Sequence, residues 1–309
     1  MNDPDFDLLV VGDANVDIIL SGMAQLPRLD TEEIARDLDF RSGGSASNCA
    51  RAAAKLGAKV AFIGLVGNDS FGDFVIRAMR DSGVNADYIR RSEAVKTGVT
   101  ISLSLAADRA FATYVGSVGE FSLEHLDLSV LTTARHLHVG GYFLQRGLRG
   151  SHRAILQRAK EAGLTTSLDV GWDPEQRWDG ELQEVLEVVD LLLPNETEAL
   201  HLTGEEHLEA ACARLAEKVP MFAVKLGADG SLGRQGGVGL RAPSFAVPVR
   251  DTTALGDCFN AGFLVGRLEG RSLAQCLRMG NAAAAIAASR LGDDRYASRE
   301  EVERLLARE

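Results

Sequence analysis

The stretch DTTALGDCFNAGFLVG, residues 251–266, carries a carboxylate where a polar segment gives way to a long apolar run. Beyond Asp257 the apolar residues recur at three- and four-residue spacing, which predicts a helix buried on one face. Asp257 then lies in the first turn, where the backbone N–H groups of residues 254–257 lack helical partners and can bind an anion. Aspartate is also favoured at helix starts for stability alone, so both interpretations stay open here.

Four other polar segments follow predicted strands and contain side chains suited to binding a polar ligand. They are GDANVD at 12–17, RSGGSASN at 41–48, NETE at 195–198 and GADG at 227–230. Each has a purely structural explanation as well: Asp17 can begin a turn, Gly43 and Gly44 can permit an unusual backbone angle, and Asn195 can cap a helix. Ligands on parallel sheets bind at the carboxyl ends of the strands, so we expect these segments to meet at one site.

The elements that must position these segments alternate between strand-like runs and helical patterns. The predicted strands are LLVVG at 8–12, KVAFIGLVG at 59–67, HLHVGG, TTSLDVG, DLLLPN and FAVKLG, and the predicted helices cover 45–56, 71–82, 149–162, 205–218 and a segment beginning at about 196. Repeated βα units predict an α/β fold with a mostly parallel central sheet and helices on both faces.

Two segments lack this alternation and have the pattern of extended strands with no helix between them. One covers about residues 16–40, and the other covers 97–116, where two strands join at residues 106–108. They predict a small antiparallel β sheet, either an edge decoration or a lid that closes over a site and excludes water. Because no linker or repeat is visible, we expect residues 1–309 to form one domain with a lid.

Composition and charge exclude several functional classes. The chain has 309 residues, of which 46% are hydrophobic and 25% charged, so it can bury a large core. Its net charge of −11 argues against general binding to nucleic acid or to an acidic membrane. The first residues are acidic and no apolar run reaches the roughly 18 residues of a membrane span, so we expect a cytoplasmic protein. The P-loop and dinucleotide-binding signatures are both missing.

The order of these motifs resembles the ribokinase family, also called the PfkB carbohydrate kinases, over almost the whole chain. The segment FRSGGSASNCARAAAKLGAKVAFIGLVGNDSFG resembles the amino-terminal signature, and DTTALGDCFNAGF resembles the carboxyl-terminal one. PNETEA, VKLGADGS and NAAAAIAASRLG follow the order of the family. The chain departs from the family at Leu255, where a small residue is usual. The resemblance implies a ribokinase-like fold and an ATP-dependent kinase acting on a primary hydroxyl of a sugar or sugar-like compound.

The resemblance also implies a role for each motif. Asp257 would be the general base, and the N–H groups of Ala254, Leu255 and Gly256 would hold the charge that develops on the phosphoryl oxygens. Sugar hydroxyls would contact Asn15, Asp17, Gly43, Gly44 and Asn48. The nucleotide would contact Asn195, Lys225, Gly227, Gly230 and Asn281. Glu198 would steady Mg²⁺ mainly through water, and Asp251 and Thr253 match a loop that binds K⁺ in some relatives.

The resemblance leaves alternatives open for the substrate and for the assembly. The segment GYFLQ at 141–145 is more apolar than in ribokinases and is similar to nucleoside kinases, where an aromatic ring can stack on a base. Arg109, in the predicted lid, has either a solvated side chain or contact with an anionic group of the substrate. A catalytically silent sugar or nucleotide sensor is a further alternative, although it would not need Asp257. Relatives often pair their lids across a dimer, so we expect a homodimer with no nucleic-acid or membrane partner.

Overall fold

The structure is a computed structural model that describes residues 4–105, 109–178 and 180–308. Its strands are β1 (Phe6–Gly12), β2 (Asn15–Ser21), β3 (Asp37–Gly43), β4 (Val60–Gly67), β5 (Ile89–Ser92), β6 (Val99–Ser104), β7 (Arg109–Tyr114), β8 (Ala134–Gly140), β9 (Thr165–Asp169), β10 (Leu191–Leu192), β11 (Met221–Lys225), β12 (Ser231–Gln235) and β13 (Val238–Ala242). Its α-helices are α1 (Ser45–Lys55), α2 (Ser70–Asp81), α3 (Ser117–Glu120), α4 (His152–Glu161), α5 (Gly180–Leu186), α6 (Glu196–Thr203), α7 (Leu208–Lys218), α8 (Leu255–Leu268), α9 (Leu273–Ala288) and α10 (Arg299–Leu306).

The main sheet has, in the part of the chain that the structure describes, nine strands in the order β13-β12-β11-β10-β9-β8-β1-β4-β5. Neighbouring strands from β11 to β5 are parallel, whereas β12 and β13 add an antiparallel hairpin at one edge. Strand β4 is buried along its whole length, as expected for a parallel strand with both faces covered. The predicted α/β fold with a mostly parallel central sheet is confirmed.

Helices cover both faces of the main sheet and form a hydrophobic core on each side. Helices α1, α2, α8, α9 and α10 pack on one face, and α4, α5, α6 and α7 pack on the other. Strand β1 contributes to both cores because successive side chains point to opposite faces: Leu8 and Val10 enter the first, Leu9 and Val11 the second. Within the described residues, none of the helices is both long and apolar enough to cross a lipid bilayer.

A second, smaller sheet, the lid sheet, consists of four strands among the described residues, in the order β3-β2-β6-β7. The pairs β2–β3 and β6–β7 are antiparallel, whereas the central pair β2–β6 is parallel. These strands come from the two segments that lacked helices in the sequence. The predicted junction at residues 106–108 lies outside the described residues, as does the side chain of Arg109.

The lid sheet has one polar face and one apolar face, because side chains alternate along each strand. Asp17 lies opposite Arg41 and Thr100 on the polar face. The next residue along β2, Ile18, lies opposite Phe40 and Ile101 on the other face, which we call the outer face. The ring of Phe40 packs against Phe71 and Phe74, at centroid distances of 5.7 and 4.5 Å, so α2 covers part of the outer face.

Candidate active site

A cavity of about 770 Å³ lies at the carboxyl ends of the parallel strands, beside the first turn of α8. The predicted catalytic, nucleotide-binding and Mg²⁺-binding residues that line it are Asn195, Glu198, Lys225, Gly227, Gly230, Ala254, Leu255, Gly256, Asp257 and Asn281. Segments far apart in sequence therefore meet at one edge of the sheet, as the parallel topology requires. The residues predicted to bind a sugar lie instead on the lid sheet and at the start of α1.

Asp257 lies in the first turn of α8, and two side chains from α1 hold its carboxylate. The hydroxyl of Ser45 donates to it at 2.8 Å, and the Nδ2 of Asn48 donates at 2.9 Å. The Oδ1 of Asn48 accepts a hydrogen bond from the hydroxyl of Tyr296 at 2.8 Å, which orients the amide. Asn48, predicted as a sugar contact, thus also fixes the carboxylate.

The environment of Asp257 raises the pKa of its carboxyl group towards neutral pH. Burial raises the pKa of this carboxyl to about 7, and the negative charge of Asp169 contributes in the same direction. The hydrogen bonds from Asn48 and Ser45 and the ammonium of Lys225 act against the rise. A pKa close to the working pH suits a group that must accept a proton and then release it. A carboxylate that only caps a helix does not require a raised pKa.

The turn before α8 has an unusual backbone. Ala254, its N-cap residue, has a φ of +62°, in the left-handed region that residues other than glycine seldom adopt. The first turn of a helix leaves the N–H groups of Leu255, Gly256 and Asp257 without partners inside the helix. The side chain of Leu255 packs partly against the hydrophobic core, which accounts for a large residue at this position. Strained backbone of this kind is concentrated at functional sites.

Asn195 and Glu198 begin α6 and hold each other in a capping box. The Oδ1 of Asn195 accepts from the Glu198 N–H at 2.8 Å, and the Glu198 carboxylate accepts from the backbone N–H and Nδ2 of Asn195 at 2.8 and 2.7 Å. Burial raises the pKa of Glu198 to about 7, and the charge of Asp169 adds to the rise. This buried acid on the cavity wall would be stabilised in its ionised form by a cation.

Lys225 ends β11 and forms a buried ion pair at the cavity wall. Its Nζ lies 2.9 Å from Oδ2 of Asp169 and 3.3 Å from Oδ1 of Asn260, whose Nδ2 also donates to Asp169. Burial is the largest single influence and acts to raise the pKa of Asp169, but the charge and hydrogen bond of Lys225, together with His138 and Asn260, lower it below the usual value. A Cβ on Gly256 would lie 3.6 Å from Nζ, so the ammonium is close to the first turn of α8. Asp169 was not predicted from the sequence, although an acid that ends a buried strand was a usable signal.

Gly230 and Asn281 both hold the segment that follows β13 against the cavity. Gly230 has a φ of +88°, and a Cβ there would lie 2.2 Å from the carbonyl oxygen of Ala242. The Nδ2 of Asn281 donates to the carbonyl oxygens of Ala242 and Pro243 at 3.0 and 2.9 Å. Gly227 has a φ of +59° but no crowding, so backbone conformation alone favours glycine there. The amide donor of Asn281 is thereby engaged by the protein.

Asn15, Asp17 and the glycine pair lie together at the edge of the lid sheet. The Nδ2 of Asn15 donates to Oδ1 of Asp17 at 3.0 Å. A Cβ on Gly43 would lie 2.3 Å from Oδ2 of Asp17, so a larger residue there would displace the carboxylate from its present position. Burial raises the pKa of Asp17 to about 6. Gly44 has a φ of +98° and is the N-cap residue of α1.

Asp13 is a second residue that the sequence analysis left without a role. Its two carboxylate oxygens accept hydrogen bonds from the backbone N–H groups of Ser45 and Ala46, each at 2.9 Å. A Cβ on Gly141 would lie 2.5 Å from its Oδ1, and burial raises its pKa to about 6. Asp13 therefore fixes the start of α1, whose Ser45 holds Asp257.

Asp251 and Thr253, the predicted K⁺ ligands, are bound by arginines. The Oδ2 of Asp251 accepts from Arg41 at 2.7 Å and from Arg295 at 3.0 Å, and the carbonyl oxygen of Thr253 accepts from Arg295 at 2.7 Å. The remaining Asp251 oxygen accepts from the Thr253 N–H at 2.8 Å. These oxygens already accept hydrogen bonds from two positively charged guanidinium groups, so they do not fit K⁺ as ligands.

The aromatic residues of the GYFLQ segment are part of the core. Tyr142 and Phe143 are each 4% exposed. The Phe143 ring packs edge-on against Trp178 at 5.0 Å, and the Tyr142 ring lies 4.5 Å from the ring of His152. Neither ring is available to stack on a base.

One family model and several known proteins match the chain over almost its whole length. The family described as pfkB family carbohydrate kinase matches residues 5–298. A ribokinase from Haemophilus influenzae is 30% identical over 295 residues, which are 92% of this chain and 93% of that protein. An E. coli protein crystallised with ATP and Mg²⁺ aligns with a TM-score of 0.87 at 25% identity, over 98% of this chain and 100% of that chain. The adenosine kinase of Sinorhizobium meliloti aligns with a TM-score of 0.85 at 26% identity, over 98% and 99%.

Proposed function

The chain belongs to the pfkB family of carbohydrate kinases, and from this premise we propose that it transfers the γ-phosphate of ATP to a primary hydroxyl of a sugar or sugar-like small molecule. It is an ATP-dependent phosphotransferase, like the ribokinases and fructokinases to which it is similar. The observation that carries the finer proposal is the half-buried carboxylate of Asp257, which the side chains of Ser45 and Asn48 in α1 hold at the first turn of α8.

Asp257 acts as the general base in this proposal. Its ionised carboxylate takes the proton of the substrate hydroxyl while that oxygen forms a bond to the γ-phosphorus. The bond from phosphorus to the bridging oxygen breaks, and ADP leaves with that electron pair. Ser45 and Asn48 keep the carboxylate oriented towards the reacting hydroxyl.

The first turn of α8 stabilises the transferred phosphoryl group. Negative charge that develops on its oxygens is met by the N–H groups of residues 254–256 and by the helix dipole. The ammonium of Lys225, close to Gly256, adds a fixed positive charge. ATP would occupy the cavity along Asn195, Gly227, Gly230 and Asn281, and a volume of about 770 Å³ lies within the usual range for small-molecule sites.

The substrate is best explained as a polyol bound between the lid sheet and α1. The carboxylate of Asp17 accepts one hydrogen bond from Asn15 and can accept more. A carboxylate can bind two hydroxyl groups of a polyol in this way. Burial of Tyr142 and Phe143 favours a sugar over a nucleoside, because a base would find no aromatic face there. The test is ADP release with pentoses, hexoses, sugar acids and nucleosides. Turnover of sugars supports the proposal, turnover of nucleosides alone favours the nucleoside kinase, and no turnover favours the sensor.

Mg²⁺ is expected to reach the site with ATP and to bind near Glu198. It would neutralise phosphate charge, and Glu198 with Asn195 would hold it mainly through its water shell, as suits a site with few carboxylates. The raised pKa of Glu198 is consistent with this, because a nearby cation would restore its ionised form.

Replacement of Glu198 by glutamine is therefore expected to raise the Mg²⁺ concentration needed for half-maximal activity by roughly 10- to 100-fold, the usual effect of losing a supporting group at a metal site. Glutamine can maintain the capping box, so the fold and the KM for the sugar should stay close to wild type. Glu301→Gln is the matched control, since Glu301 forms the same capping box at the start of α10. An unchanged Mg²⁺ dependence in Glu198→Gln would count against the assignment.

We further propose that the chain is one kinase domain whose lid sheet closes the site and pairs with the lid of a second copy. On the outer face Leu38 is 62% exposed, and Phe40 and Ile101 are partly exposed. Exposed strands with apolar side chains are a liability unless they are covered.

Sedimentation at micromolar concentration is expected to give a dimer, and Ile101→Asp should shift it to a monomer. Val238→Asp, on an exposed strand at the edge of the main sheet, is the control and should leave the dimer intact. A wild-type monomer, or a dimer that Ile101→Asp leaves unchanged, would refute pairing through the outer face.

A further inference from the structure

Arg295 forms a compact set of hydrogen bonds with two loops next to the start of α8. Its Nη1 donates to the carbonyl oxygen of Thr253 at 2.7 Å, its Nη2 to Oδ2 of Asp251 at 3.0 Å, and its Nε to the carbonyl oxygen of Gly292 at 2.8 Å. The residue is only 3% exposed. A guanidinium carries its charge at any physiological pH, so these oxygens surround a permanent positive charge.

This arrangement is a cation site whose cation is covalently attached to the chain. Carboxylate and carbonyl oxygens are the ligands that hard metal ions prefer, and here two loops direct three of them at one point. Arg41 approaches the same Asp251 carboxylate from the lid sheet at 2.7 Å, which brings a second positive charge. A further cation at this point would displace hydrogen bonds and meet repulsion from both guanidinium groups.

The location links the site to catalysis. Thr253 immediately precedes Ala254, whose left-handed backbone leads into the first turn of α8. By holding the Thr253 carbonyl and the Asp251 carboxylate, Arg295 fixes the path of the chain just before the N–H groups that would meet the phosphoryl oxygens. We infer that the Arg295 guanidinium takes the place of an activating monovalent cation, so that this kinase does not need K⁺.

Arg295 is thus a positioning residue, and its effect on turnover rests on the proposed function. Whether K⁺ binds at the cation site does not depend on the proposed function, because cation binding can be measured without substrate. The two parts can therefore fail separately: the absence of turnover with any compound would refute the proposed function, while cation binding could still be tested by melting temperature.

The wild-type protein provides the first test. Turnover and melting temperature are compared in KCl, NaCl and choline chloride at constant ionic strength. We expect both quantities to be the same in the three salts. A saturable increase in either quantity that K⁺ produces and choline does not would overturn the inference.

The second test removes the guanidinium. Arg295→Ala should lose activity in choline chloride and recover it in KCl, with a K⁺ effect on kcat of roughly 5- to 150-fold, the usual size of coupling between an effector site and a second site. Arg290→Ala is the matched control, because Arg290 pairs with Glu301 near the surface and, within the described part of the chain, has its side-chain bonds to Glu301 and the Asp294 carbonyl rather than to residues 251–253. A folded Arg295→Ala that retains wild-type turnover in choline chloride, or that KCl does not restore, contradicts the inference.

Arg295→Gln, which keeps some hydrogen-bonding capacity without the charge, replaces the alanine variant if that variant does not fold. The same outcomes apply to it. If neither variant folds, the salt comparison on the wild-type protein decides the question by itself.

Discussion

Asp257→Asn is expected to lower kcat by roughly 10²- to 10⁴-fold, the range associated with loss of a general base. Asparagine has nearly the same shape and can still accept from Ser45, but it cannot take the proton of the attacking hydroxyl. ATP binding should change much less, because the N–H groups of the first turn of α8 remain. Initial rates and ATP affinity measured on the same folded variant give the comparison.

Asp69→Asn is the control for this change. Asp69 also stands at a helix start, where it caps α2 and accepts from the Gly72 N–H at 2.8 Å. If Asp257 only stabilises a helix, the two variants should behave alike and retain turnover. The wild-type pH profile adds a second check: with a pKa raised to about 7, the base is protonated at lower pH, so kcat/KM should fall below about pH 7 and level off above it. Near-wild-type turnover of Asp257→Asn would refute the catalytic role.

Asp169→Ala is expected to destabilise the fold by about 3–5 kcal/mol, the cost of leaving a buried charge without its partner. The side chains of Asp169 and Lys225 are 4% and 12% exposed, so water from the cavity can replace only part of the lost interaction. The free energy of unfolding in urea measures this loss. Asp73→Ala is the matched control, because the Asp73–Arg91 pair is as short, at 2.7 Å, but exposed, and such pairs contribute about 0–1 kcal/mol.

The double variant Asp169→Ala/Lys225→Met identifies the cause of that loss. Removing both charges avoids an unpaired ammonium, so the double variant should be more stable than Asp169→Ala despite carrying an additional substitution. A double variant less stable than the single one would show that packing and the bond to Asn260, rather than charge, dominate at this position.

The sequence predicted the parallel framework well because the signals involved are local. Buried parallel strands are continuous apolar runs, and the predicted helices at 45–56, 71–82 and 205–218 agree with α1, α2 and α7 to within a few residues. The hairpin of β12 and β13 was missed, although Gly236 and Gly237, at φ +55° and +85°, provide the turn signal GG between the strands.

The contacts between motifs could not be predicted from the chain alone. Asp169 and Lys225 are 56 residues apart, and nothing local to either indicates that they form a buried pair. Similarly, nothing local to Asp251 shows that its carboxylate is already bound by Arg295. That arginine reaches it from a loop 44 residues away. The identity of a motif was readable, whereas the partner that completes or occupies it depends on tertiary packing.

The alternation along β2 limits how this part of the gene can evolve. Asp17 lies on the polar face of the lid sheet and Ile18 on the outer face, so the two sides of one short strand carry different side chains. Substitutions can alter either face independently. A single-codon insertion or deletion within β2, between Asn15 and Asp17, would reverse both at once, turning the carboxylate to the outer face and an isoleucine to the polar face. We therefore expect homologous genes to vary in residue type here while the number of codons in this interval stays constant.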